Sequence, residues 1–83
     1  MITILFFAKY REQLGLGKMN FTLDTSLSVG DLKKRLVSDG GEKWPEVLLA
    51  DNTLCAVNQT IANDSVEIND GDEVAFYPPV TGG

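Results

Sequence analysis

Apolar and polar residues alternate with a period of two near both ends of the chain, and adopt a helical period only once between them. Ile2-Thr3-Ile4-Leu5-Phe6-Phe7-Ala8 is β-branched and aromatic and is bounded by Lys9-Tyr10-Arg11-Glu12, which predicts a first strand. Alternation puts Ile2, Ile4, Phe6 and Ala8 on one face, with Thr3, Leu5 and Phe7 on the other. Apolar residues on both faces predict a strand inside a sheet, or one whose second face meets a partner. Residues 10–15 have room for one helical turn, closed by Gly15-Leu16-Gly17. Met19, Phe21 and Leu23 alternate again and predict a second strand, antiparallel to the first through that short connection.

Ser28-Val29-Gly30-Asp31 reads as a helix start, with Ser28 as N-cap and the acid three positions on completing a capping-box-like pair. Val29, Leu32, Leu36 and Val37 follow at helical spacing, which leaves Lys33, Lys34 and Arg35 on the solvent side. Gly40-Gly41 ends the helix. Residues 42–53 read as a loop with one short turn, in which Trp44, Val47 and Leu48 cap the core. Leu54–Asn58 predicts a third strand, followed by an excursion around Ile61 and a short extended run over Ser65–Ile68. The Asn69-Asp70-Gly71-Asp72 turn leads into a last strand over Glu73–Tyr77.

The order β-β-α-β-(β)-β within 83 residues predicts an α+β domain of the β-grasp (ubiquitin-like) type. In it one main helix packs across a mixed sheet, and the first and last strands lie parallel in the middle. Residues 1–77 form that domain, and residues 78–83 an extended tail.

Composition and charge narrow the function classes. An apolar content of 43% fits a globular fold, and no apolar run approaches the roughly 18 residues that span a bilayer. The first apolar block has no basic segment before it, so it reads as a strand and not as a secretory signal, and a cytoplasmic location is expected. A net charge of −5 argues against nucleic acid as a partner. Every Lys and Arg lies at or before Lys43. Residues 1–43 therefore carry +2 (seven basic, five acidic), and residues 44–83 carry −7 (seven acidic, no basic). That asymmetry steers the C-terminal half toward an electropositive surface, or merely solvates turns such as Asp70–Glu73.

The chain has no histidine, which removes Ser-His and Cys-His nucleophile arrangements. Its one cysteine, Cys55, excludes a four-cysteine iron–sulfur cluster or zinc site and reads as a small buried hydrophobe. Gly15-Leu16-Gly17-Lys18 imitates a phosphate loop, but Glu12 stands where its first glycine belongs and Met19 where a Ser or Thr must follow the lysine. No metal, no bound cofactor and no self-contained enzyme activity is expected. What remains is the final segment, Pro78-Pro79-Val80-Thr81-Gly82-Gly83, which carries no charged side chain. Its prolines fix φ and cannot donate to a sheet ladder, its glycines are the thinnest possible backbone, and six extended residues reach about 20 Å. Such an arm suits passage of a terminal carboxylate down a narrow channel in another protein. Gly83 would need activation before any acyl chemistry, for instance as an acyl-adenylate made from ATP by a partner.

Phe6-Phe7-Ala8-Lys9-Tyr10-Arg11-Glu12, Ala56-Val57-Asn58-Gln59 and the run Asp70-Gly71-Asp72-Glu73-Val74-Ala75-Phe76-Tyr77-Pro78-Pro79-Val80-Thr81-Gly82-Gly83 make the reading specific. With them the chain resembles the MoaD family, the small sulfur-carrying subunits of molybdopterin synthase, nearly end to end. A terminal Gly-Gly alone is shared with ubiquitin, the thiamine-pathway carrier ThiS and ubiquitin-related modifiers. The resemblance implies that Gly83 is adenylated by a MoeB-like activating enzyme that uses ATP, and is then converted to a thiocarboxylate with sulfur from a donor protein. It implies insertion of the tail into a MoaE-like large subunit, in a heterotetramer of two small and two large subunits. There the thiocarboxylate supplies sulfur to a cyclic pyranopterin precursor during molybdenum cofactor synthesis. It further implies an apolar partner contact through Phe7, Ile61 and Tyr77, with Arg11 as the charged contact beside them. The readings it leaves open are a sulfur carrier of another pathway and a ubiquitin-like modifier conjugated through Gly83.

Overall fold

Strand β1 (Ile2–Phe6) lies between two neighbours, and this position fixes the rest of the fold. The computed structural model of the chain describes residues 1–50 and 52–79. β1 is antiparallel to β2 (Lys18–Phe21), with Ile4 opposite Met19, and parallel to β7 (Glu73–Tyr77), with Ile4 opposite Val74. β4 (Leu54–Val57) pairs antiparallel with the other side of β7, and β5 (Thr60–Ile61) closes that edge in a hairpin with β4. The sheet order is β2-β1-β7-β4-β5, a mixed β-grasp sheet with the first and last long strands side by side at its centre.

Helix α2 (Val29–Asp39) packs across one face of the sheet. Its N-terminus is tied down amide by amide. Ser28 Oγ accepts from Asp31 N–H at 3.1 Å, Val29 N–H donates to Val66 O and Gly30 N–H to Asp64 O, both at 2.9 Å. Three of the amides that a helix start leaves without helical partners are thereby satisfied. Gly40 caps the other end, and a Cβ there would run into the Trp44 ring. Val29, Leu32 and Leu36 on α2, Val47 and Leu48 on the short helix α3 (Trp44–Leu48), and Ile2, Ile4, Phe6, Val74 and Phe76 on the central strands make one core. Phe6 meets the edge of Trp44 at 5.5 Å and stacks on Phe76 at 5.9 Å.

Several expectations change in detail. The first strand stops at Phe6, and Ala8 is exposed with φ of 54°, not on the core face. The chain has to turn there into α1 (Lys9–Leu14), which buries Tyr10 and lets its hydroxyl meet Thr53 Oγ1 at 2.8 Å. β2 covers Lys18–Phe21 and not Met19–Leu23, and β4 ends at Val57 because Asn58 begins a turn. Only Glu67–Ile68 of the run 65–68 is strand, β6, and it pairs with Leu27–Ser28, β3, an element absent from the sequence reading. Lys33 is buried instead of facing solvent, and its ammonium donates to Asp64 Oδ1 at 2.8 Å. Among the described residues no helix is long and apolar enough to cross a membrane.

Candidate functional site

Alternation gives the sheet a second face, turned away from α2. Register places Lys18, Leu5, Ala75, Ala56 and Ile61 in one row across all five strands. Tyr77 and Leu54 form the next pair toward the end of β7. Phe7 follows Phe6 by one residue and so falls on this face, and its N–H still bonds Phe76 O at 3.2 Å, prolonging the parallel ladder. Phe7 is 44% exposed and Ile61 67%, two of the few large apolar side chains left in water among the described residues. Tyr77 is half-buried. Large apolar groups exposed on one sheet face mark a surface that meets something else. Half-buried Leu5 and Ala75 join Phe7, Ile61 and Tyr77, while Ala56 in the same row is buried, and the alternation of Glu73, Ala75 and Tyr77 is the sequence signal that places Ala75 there.

Arg11 lies on α1, four positions after Phe7. Its backbone carbonyl accepts the Gly15 N–H that caps the helix, and its aliphatic stem crosses Gly17 so closely that a Cβ there would lie 2.8 Å from Arg11 Cδ. Arg11 as a whole is exposed. α1 thus carries a cation within a few residues of the end of β1 and of Phe7.

β7 runs from an acidic turn to the tail. Asp70, Asp72 and Glu73 sit where the strand begins, and Tyr77-Pro78-Pro79 where it ends. Asp72 is occupied locally: it accepts the Asn69 N–H at 2.9 Å and the Asn58 side-chain amide at 3.0 Å, which together hold its carboxyl below the ordinary aspartate value. Pro78 and Pro79 leave the sheet half-buried. Val80, Thr81, Gly82 and Gly83 lie outside the described residues.

On the opposite edge a recess of about 500 Å³ is lined by Lys33, Asp64, Cys55 and Thr53 among others. It offers little chemistry. Lys33 is engaged with Asp64, and burial pushes the Cys55 thiol up to about 11 at 4% exposure, so it is a neutral thiol at physiological pH. Among the described residues no three His, Cys, Asp or Glu side chains gather as a metal set.

The comparisons with known proteins converge. Residues 4–83 match the ThiS family model. Over 83 residues, spanning 100% of both chains, the sequence is 40% identical to the molybdopterin synthase sulfur carrier subunit of Escherichia coli (strain K12). It is 35% identical to the subunit of the same name from Haemophilus influenzae, again over 100% of both chains. The fold superposes on the crystal structure of SAMP1, small archaeal modifier protein 1, from Haloferax volcanii with a TM-score of 0.80, at 26% identity, covering 99% of this chain and 98% of that one.

Proposed function

The chain belongs to the ThiS family, and we propose that it is the sulfur carrier subunit of a molybdopterin synthase, carrying sulfur on the carboxylate of Gly83. The observation that carries this reading is the state of Cys55. A protein can carry sulfur on a cysteine or on an activated carboxylate, and the one cysteine here is buried with its thiol pushed up to about 11. A neutral, covered thiol is neither a nucleophile nor a group that can be passed between proteins. The Gly83 carboxylate is the group left, and the full-length match to the two bacterial carriers supports its equivalence to their last residue.

The carboxylate is ionised at neutral pH and is a poor electrophile. A MoeB-like partner with ATP converts it to an acyl-adenylate with release of pyrophosphate, and hydrosulfide delivered by a donor protein attacks the acyl carbon and displaces AMP, leaving a thiocarboxylate. Residues 1–77 serve as a rigid body and residues 78–83 as the arm that delivers the thiocarboxylate into the active site of a MoaE-like large subunit. There it gives sulfur to the cyclic pyranopterin precursor. The outer sheet face with Phe7, Ile61 and Tyr77, and Arg11 beside it, is the docking surface for these partners. The working assembly is a heterotetramer of two small and two large subunits.

Deleting Gly82-Gly83 tests the reading. With the large subunit, activating enzyme, ATP and sulfur donor reconstituted, the shortened chain is expected to fold and bind but to yield no molybdopterin. Full turnover by that variant would refute the proposal. The likeness to SAMP1 favours one second reading, a modifier joined through Gly83 to lysines of other proteins. Higher-mass conjugates of the chain in cell extracts would single it out.

A further inference from the structure

β5 is two residues long, forms an edge of the sheet, and leaves both Thr60 and Ile61 exposed. So short a strand gains little from its ladder with β4, and its placement depends on what holds its ends. Ahead of it, Asn58 and Gln59 have φ of 50° and 69°, the type I′ arrangement that joins Val57 to Thr60. The Asn58 side chain is used outside that hairpin. Its amide donates to Asp72 Oδ1 at 3.0 Å, and its oxygen accepts the Glu73 N–H at 2.9 Å. Behind β5, Asp64 Oδ1 accepts Lys33 Nζ at 2.8 Å and the Asp64 carbonyl accepts Gly30 N–H at 2.9 Å. The Lys33 side chain is 10% exposed and that of Asp64 68%, so a buried ammonium on α2 holds an exposed acid from the loop after β5.

We propose that these two clips are positioning devices for docking, holding Ile61 at the height and angle at which the large subunit receives it. Asn58 and Asp72 act from one end of β5, Lys33 and Asp64 from the other. The inference rests on the carrier reading above. Neither clip is part of the apolar core, and Asp72 sits at the opposite end of β7 from Pro78. Their shared effect is to immobilise a side chain that is 67% exposed and gains little burial within its own chain. Ordering such a residue before association removes part of the entropy loss on binding.

The test is a double-mutant cycle on the dissociation constant for the large subunit, with the full chain. Asn58→Gly keeps a residue that adopts positive φ freely while removing both side-chain bonds. Lys33→Met keeps the buried stem and leaves only a solvent-exposed carboxylate without its partner. Each variant is expected to raise Kd about three- to tenfold, and the effect is expected to shrink to about twofold or less in an Ile61→Ala background. A lowered Tm with unchanged Kd overturns the proposal, as does the same fold-change with and without Ile61. Failure of the wild-type chain to bind the large subunit is a different result: it refutes the carrier reading and the proposal together.

Discussion

The two faces of the sheet are made by alternate residues of the same strands, and they meet opposite surroundings. Ile4, Phe6, Val74 and Phe76 point to α2 and α3 and are almost fully buried. Leu5, Phe7, Ala75, Tyr77 and Ile61, their neighbours in sequence or register, point the other way, and among the described residues no helix packs over them. An antiparallel sheet normally turns polar residues to its open face, and a parallel pair normally has both faces covered. Here, among the described residues, helices cover the parallel β1–β7 pair on one side only. The inner face accounts for why the domain folds, and the outer face is the one proposed to dock a partner.

Substitutions on the two faces should therefore separate stability from docking. Phe76→Ala removes a ring buried between Phe6 and the helices and is expected to lower unfolding free energy by about 3–5 kcal/mol, measured by urea denaturation. A loss below about 1 kcal/mol would mean that this face is not the core. Phe7→Asp, one residue along from Phe6, is expected to change stability by no more than about 0.5 kcal/mol and to weaken large-subunit binding by about 2 kcal/mol or more, read by calorimetry. If instead it unfolds the domain and spares binding, the division between the faces is wrong. The smallest effect concerns acid. The Asp72 carboxyl is held below its ordinary value of 3.8, first by the Asn69 N–H and then by the Asn58 amide. A depressed folded-state value means a contribution that is present above the ordinary value and is lost as pH falls through the lower one. Asp72→Ala should thus match the acid behaviour of the wild type least above pH 3.8 and converge with it in stronger acid, in thermal melts across that range.

Much of this arrangement was legible in the chain. β7 reads from Glu73 to Tyr77 without error because alternation, a turn ahead and two prolines behind bound it on both sides. Ser28 caps α2 as its spacing to Asp31 predicts. What stayed hidden depends on contacts distant in sequence. Lys33 sits on the polar arc of α2 by pattern, yet it is buried because Asp64, thirty-one positions away, supplies its counter-charge. β3 and β6 have two residues each, too few for a period to register, and exist by pairing with one another. Ala8 continues an apolar run, but the chain turns there to place Tyr10 in the core. In the site, Phe7 was readable from alternation alone. Asn58 stands in the run Ala56-Val57-Asn58-Gln59, but its bonds to Asp72 and Glu73 arise only when β4 and β7 lie side by side.

The account stands on sulfur riding on Gly83 and not on Cys55. Intact-mass and fragment spectrometry after incubation with the activating enzyme, ATP and a sulfur donor tests this directly. The predicted result is a single replacement of oxygen by sulfur at the Gly83 carboxyl, unchanged in a Cys55→Ala variant. Sulfur found on Cys55, with Gly83 left as an ordinary carboxylate, would contradict it.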